Sequence, residues 1–160
     1  MARVERRTIG ERAERSASPG TRFSAPSVSE ALWAYRDAMH DGASPHELID
    51  ALYAGLNAID LARLKGLFLP AATIVRVVTP MTVHTVDSWS SGLASVFTAN
   101  EELELSRRVD QHGALAQVLS RFVIRDRVTK APLRSGTNAF SLVHDGSRWW
   151  LASATWVLDA

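Results

Sequence analysis

The chain has 160 residues, of which 46% are hydrophobic and 22% charged, with a net charge of +1 and no cysteine. That is the make-up of one ordinary globular domain able to bury its own core, not of a collagen-like, coiled-coil or wholly disordered chain. Without cysteine there is no thiol catalysis, thiolate metal site or disulfide, and no apolar run approaches the ~20 residues of a membrane span.

The charge is unevenly spread. Residues 1–27 hold six arginines and three glutamates, which leaves 12 basic and 14 acidic residues in 28–160. The near-neutral total argues against a nucleic-acid partner, which calls for a basic face. No apolar run follows the arginines, so they do not open a signal peptide. Together with the missing cysteine this predicts a cytoplasmic protein. The composition divides the chain into a basic, disordered tail over 1–27, an extra helix and linker over 28–44, and a folded domain over 45–160.

Ser27 and Glu30 have capping-box spacing, and Val28, Leu32, Tyr35 and Met39 follow on one helical face, which predicts a helix over 28–40. Ser44-Pro45-His46-Glu47 is the strongest local signal: a cap, a proline suited to the first helical position, and a glutamate that can bond back. Leu48, Leu52, Leu56 and Ile59 then form a stripe, so a helix runs to about 59. Asp60 caps a short helix with Leu61, Leu64 and Phe68 inward, stopped by Pro70. Residues 72–78 are short and β-branched and predict a strand closed by Pro80. Thr85 or Asp87 caps a helix over 86–97.

The remainder predicts strands over 103–111, 114–126, 137–144 and 148–158, with a turn at His112-Gly113, a loop over 127–136 and a hairpin turn at Asp145-Gly146. Helices first and antiparallel strands last make an α+β domain. In 148–158 one parity carries Trp149, Leu151 and Val157, and the other Trp150, Ala152, Ala154, Trp156 and Leu158. A sheet with one wet face would alternate more cleanly. The pattern therefore predicts a second covered face, most simply against a second copy of the chain.

Residues 47–75 (ELIDALYAGLNAIDLARLKGLFLPAATIV) and 138–156 (NAFSLVHDGSRWWLASATW) resemble the nuclear-transport-factor-2-like superfamily, also called SnoaL-like or ketosteroid-isomerase-like. The first resembles its paired helices and first strand, the second its terminal hairpin, and residues 107–126 fit its central strands. The resemblance implies a cone-shaped fold, with the N-terminal helices packed in a curved, mostly antiparallel sheet around an apolar pocket. It also implies homodimers through the outer sheet face. The same scaffold serves many activities.

The steroid isomerases of that superfamily use a carboxylate base on the first strand, a tyrosine on the first helix and a neutral acid on a later strand. Here Arg76 stands near the base position, 137–143 holds no carboxylate, and Tyr53 is one residue out of step. That mechanism is set aside. Dehydratase and cyclase relatives use His, Asp and Tyr, for which His84, Asp110 and His112 are the acid–base candidates. Asp110 and His112, however, share strand parity with Glu104, Ser106 and Arg108, as a solvated face would. The pocket candidates are Tyr53, Asn138 and Trp156, with Trp89 as a lid. Arg76 is odd on an apolar strand and faces an acidic ligand, a carboxylate such as Asp87 or Glu101, or solvent. The five histidines have no metal-ligand spacing, and no nucleotide-binding glycine motif occurs, so no metal and no cofactor are called for. Two readings remain. One is a pocket for a small apolar or aromatic metabolite, in an isomerase, dehydratase or cyclase-type enzyme. The other is a non-catalytic dimeric ligand-binding or assembly module.

Overall fold

The computed structural model describes residues 43–160. The tail over 1–27 and the helix over 28–40 lie outside the described residues.

Helix α1 (Pro45–Ala58) begins as its capping residues dictate: the Ser44 hydroxyl accepts from the Glu47 amide at 3.2 Å, and Pro45 opens the first turn. Leu48, Ile49, Leu52 and Leu56 are its buried stripe. The chain leaves the helix through Ile59 in the left-handed region (φ 56°). Asp60 then accepts from the Arg63 amide at 3.0 Å and starts α2 (Leu61–Leu67). The two helices touch closely at Gly55, where a Cβ would lie 2.9 Å from Leu64 Cδ2. Helix α3 (Val86–Phe97) is capped by Thr85, whose hydroxyl accepts from the Ser88 amide at 3.2 Å.

The strands are β1 (Phe68–Val77), β2 (Thr82–Thr85), β3 (Asn100–His112), β4 (Leu115–Asp126), β5 (Pro132–His144) and β6 (Trp149–Leu158). They form one six-stranded sheet in the order β2-β1-β6-β5-β4-β3. Only β1 and β6 pair in parallel. The three helices pack against this open, mixed sheet, giving the α+β architecture expected. The core lies between α1 and the inner face, where Leu48, Leu64, Ile74, Val118, Phe122, Leu142 and Leu151 are at most 1% exposed. Arg127 ties the layers together: its Nη2 donates to the carbonyls of Asn57, Phe97 and Asn100, so one guanidinium serves the ends of both long helices.

Several element boundaries differ from the sequence reading, each for a local reason. Strand β1 begins at Phe68 instead of 72. Phe68 pairs with Leu151 before an irregular stretch, and Pro70 lies in that stretch, where it need not donate to the ladder. The segment before α3 is a short edge strand, β2, paired to β1 through Thr73–Thr85 and Arg76–Thr82. The expected loop over 127–136 shrinks, because β5 already starts at Pro132. The turn before it is held by Asp126, whose Oδ1 accepts from the amides of Val128 and Thr129. Gly136 belongs to the strand. A Cβ there would sit 2.3 Å from the Val157 carbonyl oxygen and 2.6 Å from Phe122 Cζ, so glycine lets the Phe122 ring lie flat on β5.

Two bulges alter which side chains face inward. In the β5–β6 pairing Leu142 meets Leu151 and Ser141 meets Ser153, so Ala152 is the extra residue. Trp149 and Leu151 are buried on one side of this step, and Ala154, Trp156 and Leu158 face the same interior on the other. The two apolar parities of 148–158 thus come from one switched inner face. Trp150 is outside, its Nε1 donating to Asp145 Oδ2 at 2.7 Å under the Arg148 guanidinium. A second register shift lies between Glu104 and Ser106.

Candidate functional site

A cavity of about 320 Å³ lies between the inner face of the sheet and helix α3. Its walls are largely apolar: Leu52 and Leu56 from α1, Trp89, Leu93 and Phe97 from α3, and Phe122, Phe140 and Trp156 from the strands. Gly92 on α3 also borders it, with nothing within 4 Å of where its Cβ would be. The serine- and glycine-rich character of α3, poor for helix propensity, keeps this wall thin beside the Trp89 ring. Trp89 itself packs edge-on against Phe68, with ring centroids 5.6 Å apart.

Into this apolar space projects Glu102 from β3. It is 7% exposed. Burial pushes its carboxyl up to about 7 from an ordinary 4.5, because the anion loses water and regains little. The bond from Asn138 acts in the opposite direction. Asn57 fixes the strand on which Glu102 rides. Its Oδ1 accepts from the Glu102 amide at 2.9 Å, and its Nδ2 donates to the Glu102 carbonyl at 2.8 Å. One side chain at the end of α1 therefore replaces a missing strand partner on the edge of the sheet.

Behind Glu102 runs a directed chain of hydrogen bonds. Asn138 Nδ2 donates to Glu102 Oε1 at 3.0 Å and to the Tyr53 hydroxyl at 3.2 Å. The Ser120 hydroxyl donates to Glu104 Oε1 at 2.6 Å. With the Ser120 proton so committed, the 2.7 Å contact between Tyr53 and Ser120 has Tyr53 as donor. Glu104 ends the chain on Arg107, which also reaches Asp50 Oδ1 at 2.6 Å and the His46 carbonyl at 2.8 Å. Burial raises the pKa of the Tyr53 phenol above its ordinary value, opposed by its bond to Ser120. Tyr53 is thus a neutral link in this chain.

The residues singled out from sequence fall into three groups. Arg76, Trp89, Asn138, Trp156 and His84 all line the cavity. Tyr53 stands one hydrogen bond behind it, through Asn138. Asp110 and His112 lie apart on the outer part of β3. They contact each other at 3.1 Å, with side chains 57% and 82% exposed, and neither borders the cavity. Arg76 meets neither carboxylate weighed for it: Asp87 pairs with Lys65, and Glu101 with Arg125 and Lys130. Its guanidinium lies over Trp156, 5.0 Å from the ring centroid.

Glu102 and Glu104 escaped the sequence reading because they sit in an acidic run that resembles a solvated edge. The bulge after Glu104 breaks the parity that joins it to Arg108 and Asp110, so Glu104 faces inward and the later residues outward. The cross-strand partners carry the missing signal: Glu102 lies opposite Ile124 and Glu104 opposite Phe122. A carboxylate facing a strand whose inner parity is apolar is a buried carboxylate. Among the described residues no group of three or more His, Asp or Glu is placed to hold a metal ion, and no helix is long and apolar enough to cross a membrane.

No protein-family model matches the chain, and no curated protein matches it significantly. Solved structures resemble it at low identity. An NTF2-like protein with a cystatin-like fold from Novosphingobium aromaticivorans is 13% identical, covering 81% of this chain and 85% of its own, with a TM-score of 0.61. An NTF2-like protein of unknown function from Shewanella baltica is 18% identical, covering 86% of this chain and 99% of its own, with a TM-score of 0.56. A candidate ketosteroid isomerase from Shewanella frigidimarina is 10% identical, covering 68% of this chain and 89% of its own, with a TM-score of 0.57. At such identities the likeness is one of fold, and three helices against an open, mixed six-stranded sheet give this chain the NTF2-like, cystatin-like fold.

Proposed function

We propose that the chain binds a small apolar molecule in this cavity and moves a proton on it, as an isomerase, dehydratase or cyclase does, with Glu102 as the acid–base group. The observation that carries this reading is a carboxyl group buried in an apolar cavity, whose proton is held up to about pH 7. A general base is most effective when its pKa lies near the working pH, and burial is the usual means of bringing a carboxylate there. Asn138 is a positioning residue in this scheme. Both hydrogens of its amide are engaged, one on Glu102 and one on Tyr53, so it holds the carboxyl and has no N–H left to offer a substrate.

The chemistry differs in placement from the steroid isomerases: the carboxylate stands on β3, and the first strand presents Arg76. A simple carbon acid of the right size tests it. With 2-tetralone in deuterated buffer, uptake of deuterium beside the carbonyl is followed by proton NMR. Catalysed exchange with an inflection near pH 7, lost in Glu102→Gln, is the expected result. Equal exchange by the two proteins, with tetralone still bound, overturns the assignment. The non-catalytic reading has no observation of its own to favour it over this one.

For the outer sheet face the proposed partner remains a second copy of the chain. Leu119 and Val157 stay 49% and 41% exposed there, beside the small side chains of Ala139 and Thr155. Light scattering at tens of micromolar is expected to give twice the chain mass, and a monomer overturns it.

A further inference from the structure

The mouth of the cavity carries positive charge that proton transfer at Glu102 does not use. Arg76 and Arg134 both border it, and Glu102 is the one acidic residue in its lining. Arg76 shares an inner-face row with Trp156 and Asn138, across β1, β6 and β5. Arg134 shares another with Ile124 and Glu102, across β5, β4 and β3. Arg134 is thus two strands from Glu102, roughly 10 Å at the usual strand spacing, while Arg76 is two strands from Asn138 and four from Glu102.

Neither guanidinium is paired with a carboxylate among the described residues, whereas Arg107, Arg121 and Arg125 each are. Arg76 is the more telling. Its Nε is shut off from solvent and has no hydrogen-bond partner, and its guanidinium carbon lies 5.0 Å from the Trp156 ring centroid. A partly desolvated guanidinium is costly unless an anion completes it. Its planar fork also matches a carboxylate better than any neutral group. His84, bonded to Thr82 at 3.1 Å, adds a further polar edge on the same rim.

We infer that the ligand is an amphiphilic organic acid. An apolar body of one or two rings fills the cavity, and a single carboxylate is held at the mouth by Arg76, with Arg134 adding charge. The inference rests on the proposed ligand cavity and names the class of molecule it takes. The four strands between Arg76 and Glu102 place the reacting carbon on the body of the ligand, away from its carboxylate.

The test compares 2-naphthoate with its neutral isostere 2-naphthamide by calorimetry at low salt. We expect wild-type protein to bind the acid about tenfold or more tightly than the amide. In Arg76→Met the preference for the acid over the amide is expected to fall to within about threefold. Arg134→Met, at an exposed position that does not threaten folding, is expected to lose part of it, and more so at low salt than at high salt. Equal binding of the two probes by wild-type protein, or a preference that survives in the Arg76→Met/Arg134→Met double variant, overturns the inference and leaves the cavity reading standing. Binding of neither probe overturns both.

Discussion

Asn138 meets Glu102 at 3.0 Å, and through the same nitrogen it meets Tyr53 at 3.2 Å. One buried amide therefore joins the ionisable group of the cavity to a line of hydroxyls that ends at Glu104 and Arg107. The orientation of the Glu102 carboxyl is set from behind, by residues that never touch the cavity contents. Polar networks of this kind stabilise only when every member is satisfied.

The raised pKa of Glu102 makes stability depend on pH in a defined direction. Below about pH 4.5 the carboxyl is protonated in both folded and unfolded chains. Between about 4.5 and about 7 the unfolded chain releases the proton and the native protein keeps it, so stability falls as pH rises. Above about 7 both are ionised, and the loss, about 3 kcal/mol at most, is complete. Glu102→Gln removes this dependence. Urea unfolding from pH 4.5 to 8 is expected to show the variant gaining on wild type up to about pH 7 and running parallel beyond it. A constant difference across that range would sink the assignment.

Tyr53→Phe cuts the network in its middle. The Asn138 amide loses an acceptor and Ser120 loses a donor, both in the interior. An unsatisfied buried donor costs about 1–3 kcal/mol, so we expect a loss of about 1–2 kcal/mol in denaturant unfolding with the slope unchanged. A change under about 0.5 kcal/mol would show that the hydroxyl is dispensable.

Gly136→Ala is expected to be among the most damaging single substitutions in the domain. The added methyl would have to displace the Val157 backbone carbonyl at 2.3 Å as well as the Phe122 ring. Strand β6 cannot retreat without moving the cavity wall it carries. Overpacking against backbone is expected to cost about 3 kcal/mol or more, read as a fall in Tm. The same change at Gly92, where nothing lies within 4 Å, serves as the tolerated control.

Much of the fold is legible in the sequence because its signals are local. Ser44, Pro45 and Glu47 announce α1, and Asp145-Gly146 between apolar runs announces the last hairpin. The cavity residues on regular strand, such as Arg76 and Asn138, are legible for the same reason. What is hidden lies downstream of bulges. A period-two reading carried across Glu104–Ser106 or Ala152 assigns every later side chain to the wrong face. Glu102 is hidden differently: its acidic neighbours suggest solvent, and only its pairing with Ile124, brought from twenty-two residues away, reveals the interior.

The extra residue at Ala152 lets one strand serve two masters in sequence. Its first half plugs the closed end of the domain with Trp149 and Leu151, and its second half turns Ala154 and Trp156 toward the space where a ligand would sit. The two halves meet at the bulge, which resets the alternation between them. If the same ten residues paired without the bulge, keeping Trp149 and Leu151 inside would swing Val157 inward and Trp156 out to the surface, whereas deleting Ala152 would leave each half on the face it already presents. For this strand the place of the bulge matters as much as the identity of the side chains on either side of it.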